Sequence, residues 1–263
     1  MSIGIIHSFQ TMGAVDGPGI RFVIFLQGCP LRCVYCQNPD TWNPGQGTEY
    51  GVGPIVDRVL RYKPYFGERG GVTVSGGEAL MQIEFVTELF TALKKLNIHT
   101  CLDTSGLMAS ARDDLYSAEK LGHTQNLLYA SAQDAKILAL LKVTDLVICD
   151  IKFTSESLYT HYTGGSLASV FQFLSATEQA GTDLWVRHVV VPEMTDSPEE
   201  VNQVINYARN YSNLKRIELL PFRKFCSFKY EELGLRFACE DIPECNQKTI
   251  DELTKLIPAE LRG

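Results

Sequence analysis

The sequence predicts an α/β fold, an open, partial (β/α)6 barrel of parallel strands with its site at their carboxyl ends. Six short apolar runs, each closed by glycine, proline or polar residues, are typical of buried strands, and helical patterns lie between them. Strands that alternate with helices form parallel sheets with right-handed crossovers. Six units are too few for a closed eight-stranded barrel. A flat, doubly wound sheet would show the same periodicity.

The expected elements follow one another along the chain. We expect strands at Arg21–Gly28, Gly71–Gly77, His99–Gly106, Asp145–Lys152, Leu184–Pro192 and Arg216–Pro221. We expect helices at Ile55–Tyr62, Ile83–Leu96, Ala132–Leu141, Leu167–Ala180 and Pro198–Asn210.

Two of these helices carry clear local signals. In Ile83–Leu96 the apolar residues recur at helical spacing along one face. Ser197 before Pro198 supplies an N-cap followed by proline at the first helical position, and two glutamates occupy the first turn. Residues 107–142 are predicted to form a longer connection or insertion, and residues 235–263 a tail, within a single domain spanning 1–263.

Composition excludes several classes of protein. A chain of 263 residues with 45% hydrophobic content can bury a full core. No stretch approaches the roughly 20 apolar residues that span a bilayer, and the N-terminus lacks the pattern of a signal peptide. A net charge of −7 argues against a nucleic-acid partner. We therefore expect a cytoplasmic protein with reduced thiols and no membrane or nucleic-acid partner.

Unusual residues follow four of the predicted strands. Because the carboxyl ends of parallel strands meet at one edge, we expect these residues to form one site. In chain order they are Cys29–Cys36, Ser75-Gly76-Gly77-Glu78, Asp103-Thr104, and Asp150 with Lys152.

The loop GCPLRCVYCQNP at residues 28–39 holds Cys29, Cys33 and Cys36, three of the 8 cysteines in the chain. A structural zinc site normally has a fourth ligand, and no second cysteine pair or nearby histidine supplies one. Three thiolates on a [4Fe-4S] cluster leave one iron open. A cluster is therefore favoured, with a zinc site or a plain reduced loop as alternatives.

The spacing CxxxCxxC, with Tyr35 before the last cysteine, is similar to the signature of radical S-adenosylmethionine (SAM) enzymes. The surrounding segments resemble the branch of that family that activates glycyl radical enzymes, and within it those that act on pyruvate formate-lyase. The resemblance covers residues 3–106 and 143–234. No cysteine lies between Cys36 and Cys101, so the cysteine-rich insertion of some relatives is absent. The resembling segments are VDGPGIRFVIFLQGCPLRCVYCQNPDTW, GGVTVSGGEAL, IHTCLDTSG, TDLVICDIK, WVRHVVVP and IELLPF.

The resemblance implies an oxidoreductase of anaerobic glucose metabolism. A reduced [4Fe-4S] cluster on Cys29, Cys33 and Cys36 would cleave SAM to methionine and a 5′-deoxyadenosyl radical. That radical would take a hydrogen from a glycine Cα of pyruvate formate-lyase. The electron would come from a flavodoxin or ferredoxin, and the enzyme would be a monomer.

The resemblance also implies residues for the cofactor. Glycines at a strand end would let the backbone approach the methionine group closely. A buried pair of acids is costly unless a cation or a lysine lies beside it. A monovalent cation is expected at Asp103, Thr104 and Asp150. The residues expected to contact SAM are Tyr35, Gln37, Gly76, Gly77, Glu78, Asp103, Asp150, Ile151, Lys152 and Arg223.

Two expected contacts are less direct. Relatives carry a SAM-contacting histidine after Leu-Pro-Tyr, where this chain has Leu220-Pro221-Phe222-Arg223, so Arg223 is expected to replace it. The glycine loop of the partner is expected beside Asp16-Gly17-Pro18-Gly19, whose backbone could bind an extended peptide. A plain turn is the alternative.

The other cysteines are expected to bind nothing. Cys101 and Cys149 fall within strands and are interpreted as small buried apolar residues. Cys226, Cys239 and Cys245 match no known cluster spacing and are interpreted as ordinary thiols, with a second metal site as the alternative. Two other functions remain open: a radical SAM enzyme acting on another glycyl radical enzyme or a small molecule, and a non-catalytic iron–sulfur carrier or zinc-stabilised binding module.

Overall fold

The computed structural model describes residues 2–107 and 134–262. Its strands form one eight-stranded sheet in the order β3-β1-β2-β4-β5-β6-β7-β8. The strands are β1 (Ile3–Gly13), β2 (Arg21–Leu26), β3 (Thr48–Gly51), β4 (Gly71–Gly76), β5 (His99–Thr104), β6 (Leu146–Asp150), β7 (Asp183–Val190) and β8 (Leu214–Pro221).

Six of these strands are parallel and neighbours in chain order, from β2 through β4, β5, β6 and β7 to β8. Each crossover therefore returns the chain to the adjacent position. A doubly wound sheet reverses its strand order at a switch point, and the six parallel strands of this sheet show no reversal. The predicted partial barrel is confirmed, and the doubly wound alternative is wrong.

The antiparallel strands β1 and β3 were not predicted. β1 pairs with β2 and with β3, and its register to β2 shifts twice. Met12 near its end has a φ of 61°. A strand with such irregularities and a mixed polar surface lacks the period-2 pattern by which strands are recognised.

The helices pack against one face of the sheet. All five predicted helices exist. Leu167–Ala180 has the predicted ends, three others have at least one end shifted, and the first two residues of the predicted Ala132–Leu141 lie outside the described part of the chain. Ser197 caps its helix, since its Oγ accepts a hydrogen bond from the amide of Glu200 at 3.1 Å. No described helix is long and apolar enough to cross a membrane. The helices are α1 (Val52–Leu60), α2 (Ile83–Lys95), α3 (134–141), α4 (Glu156–Thr163), α5 (Leu167–Ala180), α6 (Pro198–Ala208), α7 (Ser227–Glu232) and α8 (Gln247–Thr254).

The two faces of the sheet differ in character. Residues facing the helices belong to one large apolar cluster that includes Val72, Leu102 and Val147. The alternating residues on the opposite, inner face include polar and charged side chains, among them Arg21 and Arg187, which are buried. The core therefore lies between sheet and helices, and the inner face is left for chemistry.

Candidate cluster and cofactor site

The cysteine loop begins directly after β2 and is fixed by backbone hydrogen bonds on two sides. The amide of Gly28 donates to the carbonyl of Thr41 at 2.7 Å. The amides of Arg32 and Val34 donate to the carbonyls of Thr163 and Tyr162, at 2.8 and 3.0 Å. These two carbonyls lie in the last turn of α4, where carbonyl groups lack partners within the helix. The loop is thereby held between its own base and a helix end.

Cys33 forms one small apolar cluster with Leu31 and Leu107, and Cys29 and Cys36 pack against it. Burial raises the pKa of Cys29 and of Cys33 to about 12 each, and burial also raises the pKa of Cys36. A positive centre would be required to hold all three as thiolates near neutral pH.

This donor set fits an iron–sulfur cluster better than a single ion. Among the described residues, no three His, Cys, Asp or Glu side chains converge on a point where one metal ion could bind. A zinc ion needs ligands that converge tetrahedrally, whereas a cluster spreads its thiolates over separate irons. The amide of Asn38 also points at Cys36 Sγ, 3.4 Å away. Such a donor stabilises a metal-bound thiolate.

Gly76 and Gly77 are required by close contacts within the chain. A Cβ on Gly76, whose φ is +113°, would lie 2.2 Å from the backbone nitrogen of Leu26. A Cβ on Gly77 would lie 2.1 Å from the carbonyl oxygen of Gly28. The amide of Gly77 already donates to the carbonyl of Leu26 at 2.9 Å. The chain itself therefore explains why neither residue carries a side chain, and the backbone contact of Gly76 and Gly77 with SAM stays a prediction.

Glu78 binds the loop after β5. Its buried carboxylate accepts hydrogen bonds from the amides of Leu80 and Ser105, at 2.9 Å each, and from the hydroxyls of Thr104 and Ser105. The Thr104 hydroxyl thus donates to Glu78, and the monovalent cation expected at Asp103, Thr104 and Asp150 stays a prediction. A carboxylate with four donors holds the ends of β4 and β5 together.

Asp103, Asp150 and Lys152 lie together at the carboxyl ends of β5 and β6. Lys152 Nζ is 2.7 Å from Asp150 Oδ2. Burial would lower the pKa of Lys152, but Asp150, Cys33 and other nearby groups raise it well above its usual value, so this lysine stays charged. Burial, helped by Asp150, raises the pKa of Asp103 to about 6 against the opposing charge of Arg187. The three side chains offer both signs of charge to a zwitterionic ligand.

Arg187 was missed by the sequence analysis. Its side chain on β7 is 7% exposed, with Nη1 3.6 Å from Asp103 Oδ2 and Nε 2.8 Å from Glu218 Oε2. Its Nη2 donates to the carbonyl of Val15 at 2.5 Å. Burial raises the pKa of Asp16, while Arg187 opposes this shift, and Asp16 Oδ2 has no partner among the described residues. A charged residue in the middle of the largely buried strand β7 was the available signal.

The segment around Asp16 turns into the inner face. The Thr73 hydroxyl donates to the carbonyl of Asp16 at 2.7 Å. A Cβ on Gly17, which has a φ of +127°, would lie 3.5 Å from both Arg21 Nε and Cys101 Sγ. The segment therefore lies against the inner face of the sheet, beside Thr73 and Cys101. Gly17 fits there because it has no side chain.

Gln37 and Arg223 connect the cysteine loop to the end of β8. Gln37 Nε2 donates to the carbonyl of Arg223 at 2.9 Å. The Arg223 guanidinium donates to the carbonyl of Cys245 in the tail. Tyr35 and Ile151 are buried, and the Tyr35 hydroxyl is 3.5 Å from the carbonyl of Lys152.

The other five cysteines are buried free thiols. Cys101 belongs to a small apolar cluster on the inner face with Leu146 and Ile148. Cys149, Cys226, Cys239 and Cys245 are part of the main core.

Comparisons with known proteins identify the relatives of this chain. Residues 15–163, more than half of the chain, match the family described as a 4Fe-4S single cluster domain. The pyruvate formate-lyase-activating enzyme of Clostridium pasteurianum is 40% identical over 258 residues, which cover 98% of each chain. The pyruvate formate-lyase 1-activating enzyme of Escherichia coli K12 is 34% identical over 256 residues, covering 97% of this chain and 95% of that one.

This chain belongs to the pyruvate formate-lyase-activating enzymes. Solved structures agree at the level of fold. A domain of a pyruvate-formate lyase-activating enzyme from Bacteroides vulgatus superimposes with a TM-score of 0.53 at 13% identity, covering 74% of this chain and 98% of that one. A radical SAM methyltransferase from Sphaerobacter thermophilus gives a TM-score of 0.54 at 13% identity, covering 92% and 65% of the two chains. The activating-enzyme family and the radical SAM fold therefore coincide in one chain.

Proposed function

We propose that this chain activates pyruvate formate-lyase by generating a glycyl radical on it, with a [4Fe-4S] cluster and SAM as cofactors. One observation carries the proposal: a three-cysteine loop lies at the carboxyl edge of an open parallel sheet, in a chain that matches activating enzymes over nearly its whole length. That edge is where ligands bind in α/β folds.

Cys29, Cys33 and Cys36 would hold the cluster. When bound, the reduced cluster and SAM together supply the radical that removes a hydrogen from the partner's glycine. The chain's own residues bind and orient these groups. Lys152 carries the positive charge that suits the carboxylate of SAM, and Asp103 and Asp150 carry the negative charge that suits its amino group or a monovalent cation.

Buried residues would keep water from the reactive centre. Tyr35 is 4% exposed and Ile151 is fully buried, and both adjoin Lys152. A radical formed in a water-excluded site is protected from side reactions. Gln37 and Arg223 would complete the wall on the side of β8, where they are joined by a hydrogen bond.

The partner's glycine loop would approach through the open inner face, beside the segment Asp16–Gly19. Asp16 Oδ2 is buried without a partner among the described residues, so it is available to accept a backbone amide of an extended peptide. Arg187 holds the preceding residue, Val15, through its carbonyl. A flavodoxin or ferredoxin would supply the electron to a monomeric enzyme in the cytoplasm, where its eight free thiols would stay reduced.

The decisive experiment mixes the anaerobically purified protein with a reductant, SAM and pyruvate formate-lyase, and detects the glycyl radical by electron paramagnetic resonance. We expect the glycyl doublet with the wild-type chain and none with Cys29→Ala, Cys33→Ala or Cys36→Ala. A brown protein that cleaves SAM but leaves this partner unmodified would favour another glycyl radical enzyme or a small molecule as substrate. A colourless zinc protein would favour a binding module.

A further inference from the structure

His188 in β7 is a fully buried polar side chain that has no role in the proposed function. Side chains alternate along a strand, so His188 points to the same side as Val186 and Val190, which belong to the main apolar core. Arg187 points the other way, to the inner face. The ring nitrogen Nδ1 of His188 lies 2.7 Å from the carbonyl oxygen of Ile151. A histidine on the core side of the sheet therefore binds the loop that follows β6.

The surroundings of His188 determine the protonation of its ring. Burial lowers the pKa of His188, and the backbone groups of Ile151 and Thr195 and the charge of Glu200 oppose this shift only in part. The ring is therefore neutral near neutral pH and has one N–H group. A carbonyl oxygen only accepts, so the proton lies on Nδ1, which donates to Ile151. Nε2 has no hydrogen-bond partner in the described part of the chain. An apolar side chain would avoid that cost, so the bond from Nδ1 is what a histidine supplies here.

This hydrogen bond holds the chain where β6 ends. The ladder between β6 and β7 ends at the pair Asp150 and Arg187. Beyond the ladder, the amide of Ile151 donates to the carbonyl of Arg187 at 3.0 Å, and the carbonyl of Ile151 accepts from His188. Two consecutive residues of β7 thus bind both backbone groups of Ile151. The peptide groups on either side of Ile151 are thereby fixed in orientation.

Ile151 lies between two charged residues of the candidate site. Asp150 precedes it and Lys152 follows it, and their side chains form the ion pair with Nζ and Oδ2 2.7 Å apart. The backbone beyond Lys152 is held separately, because the amide of Thr154 donates to the carboxylate of Glu200 at 2.9 Å. Lys152 therefore lies between two backbone anchors, and the anchor at Ile151 is directly adjacent to both members of the ion pair.

We propose that His188 is a positioning residue for the cofactor site. Its hydrogen bond to Ile151 fixes the backbone from which Asp150 and Lys152 reach SAM. The inference rests on the proposed function and goes beyond it by assigning a role to a residue on the core side of the sheet. A small rotation of a peptide group displaces the charged end of a long side chain, and binding depends on the placement of such groups. Removing the bond should therefore weaken SAM binding while the charges of the site stay unchanged.

The test compares His188→Asn with His188→Leu. The two replacements have nearly the same shape and both lose the ring, but only asparagine keeps an N–H donor close to the position of Nδ1. Each variant is loaded with cluster, its iron and sulfide are counted, and its affinity for SAM is measured by calorimetry. We expect His188→Leu to bind SAM about tenfold more weakly than the wild type, and His188→Asn to bind within about threefold of it. Equal affinities in the two variants would overturn the proposal.

Thr182→Val is the matched control for a general loss of stability. Thr182 comes directly before β7 and is buried, and its hydroxyl donates to the carbonyl of Leu141 at 3.2 Å. The variant removes a buried side-chain donor to a backbone carbonyl at the opposite end of the strand. It should unfold at a lower denaturant concentration than the wild type and bind SAM normally. Weakening equal to that in His188→Leu would overturn the proposal, because lost stability would then explain both results.

The ring of His188 supplies a further readout in the full-length, cluster-free chain, which needs neither SAM nor activity. In a nitrogen-15 NMR spectrum of the histidine-labelled protein at neutral pH, we expect a neutral ring with its proton on Nδ1, and His188→Asn identifies the signals by their loss. A charged ring, or a proton on Nε2, would overturn the proposal. Failure of the proposed function is distinct, because the wild-type chain itself would then hold no cluster or bind no SAM.

Discussion

Lys152 and Asp150 form an ion pair at the carboxyl end of β6, with Nζ and Oδ2 2.7 Å apart and side chains only 12% and 23% exposed. The pair lies beside Asp103, whose carboxyl has a raised pKa because it is buried near Asp150. Lys152 therefore offsets the charge of Asp150, while Arg187 lies 3.6 Å from Asp103. Removing Lys152 would leave Asp150 without its cation in a poorly solvated site.

We predict that Lys152→Met lowers the free energy of unfolding of the cluster-free protein by about 2 kcal/mol, less than the ~3–5 kcal/mol of a fully buried broken pair. Urea denaturation measures the change. The double variant Lys152→Met with Asp150→Asn should recover part of the loss, because it removes the stranded carboxylate together with its partner. A double variant no more stable than the single one would contradict this account of the pair.

Gly77→Ala should disrupt the contact between β4 and the base of the cysteine loop. The added methyl would lie 2.1 Å from the carbonyl oxygen of Gly28, and backbone atoms on both sides leave little room to adjust. We expect a loss of about 3 kcal/mol or more in stability and a parallel loss of bound iron. The matched control is Gly53→Ala in α1, where a Cβ meets nothing within 4 Å. It should be neutral or stabilising by up to about 1 kcal/mol. Equal stability of the two variants would refute the close contact.

The parallel strands and the cysteine loop were predictable because both are local patterns. Apolar runs closed by glycine or polar residues mark strands wherever both faces are buried, as in β4 and β6. The spacing of Cys29, Cys33 and Cys36 is likewise visible in a dozen residues. By contrast, β1 is defined by its pairing with β2, which has two register shifts, and with β3. Such pairing between distant segments cannot be seen in a short stretch of sequence.

Side-chain roles that depend on several strands could not be predicted. The sequence does not show that a Cβ on Gly77 would clash with the carbonyl oxygen of Gly28, because that contact joins the end of β4 to the loop after β2. The role of Arg187 depends on Asp103, Glu218 and Val15, which come from three separate segments. Sequence spacing gives no information about such convergence.

Asp16→Asn should weaken activation of pyruvate formate-lyase while leaving SAM cleavage in the absence of the partner intact. The carboxylate has a buried oxygen without a partner among the described residues, and an asparagine binds a backbone amide less strongly than a carboxylate does. We expect about tenfold weaker activation, measured as the initial rate of glycyl radical formation against partner concentration. Asp57→Asn on the exposed side of α1 is the control. Equal loss of both activities would rule out a role specific to the partner.

The stability of the cluster-free protein should depend on pH through Asp103. Its pKa is raised from 3.8 to about 6 by burial, so between these values the folded state binds more protons than the unfolded state. The contribution of Asp103 to stability therefore falls as pH rises from 4 to 6 and is lowest above 6. Unfolding free energies at pH 5 and pH 7 should differ less in Asp103→Asn than in the wild type. The same pH dependence in both proteins would show that Asp103 is not the group responsible.

Arg223 is predicted to contact SAM from the end of β8, and the structure sets a condition on this role. Its guanidinium already donates to the carbonyl of Cys245, so a SAM contact must use one of its remaining N–H groups. We expect Arg223→Ala to bind SAM about tenfold more weakly by calorimetry, with partial rescue in Arg223→His.

The neighbouring Lys224 also anchors the tail, because its side chain donates to the carbonyl of Glu240. Lys224→Ala therefore tests whether a loosened tail alone weakens binding, and it should bind SAM normally. Unchanged affinity in both Arg223 variants would remove Arg223 from the site, and equal weakening in Lys224→Ala would assign its effect to the tail.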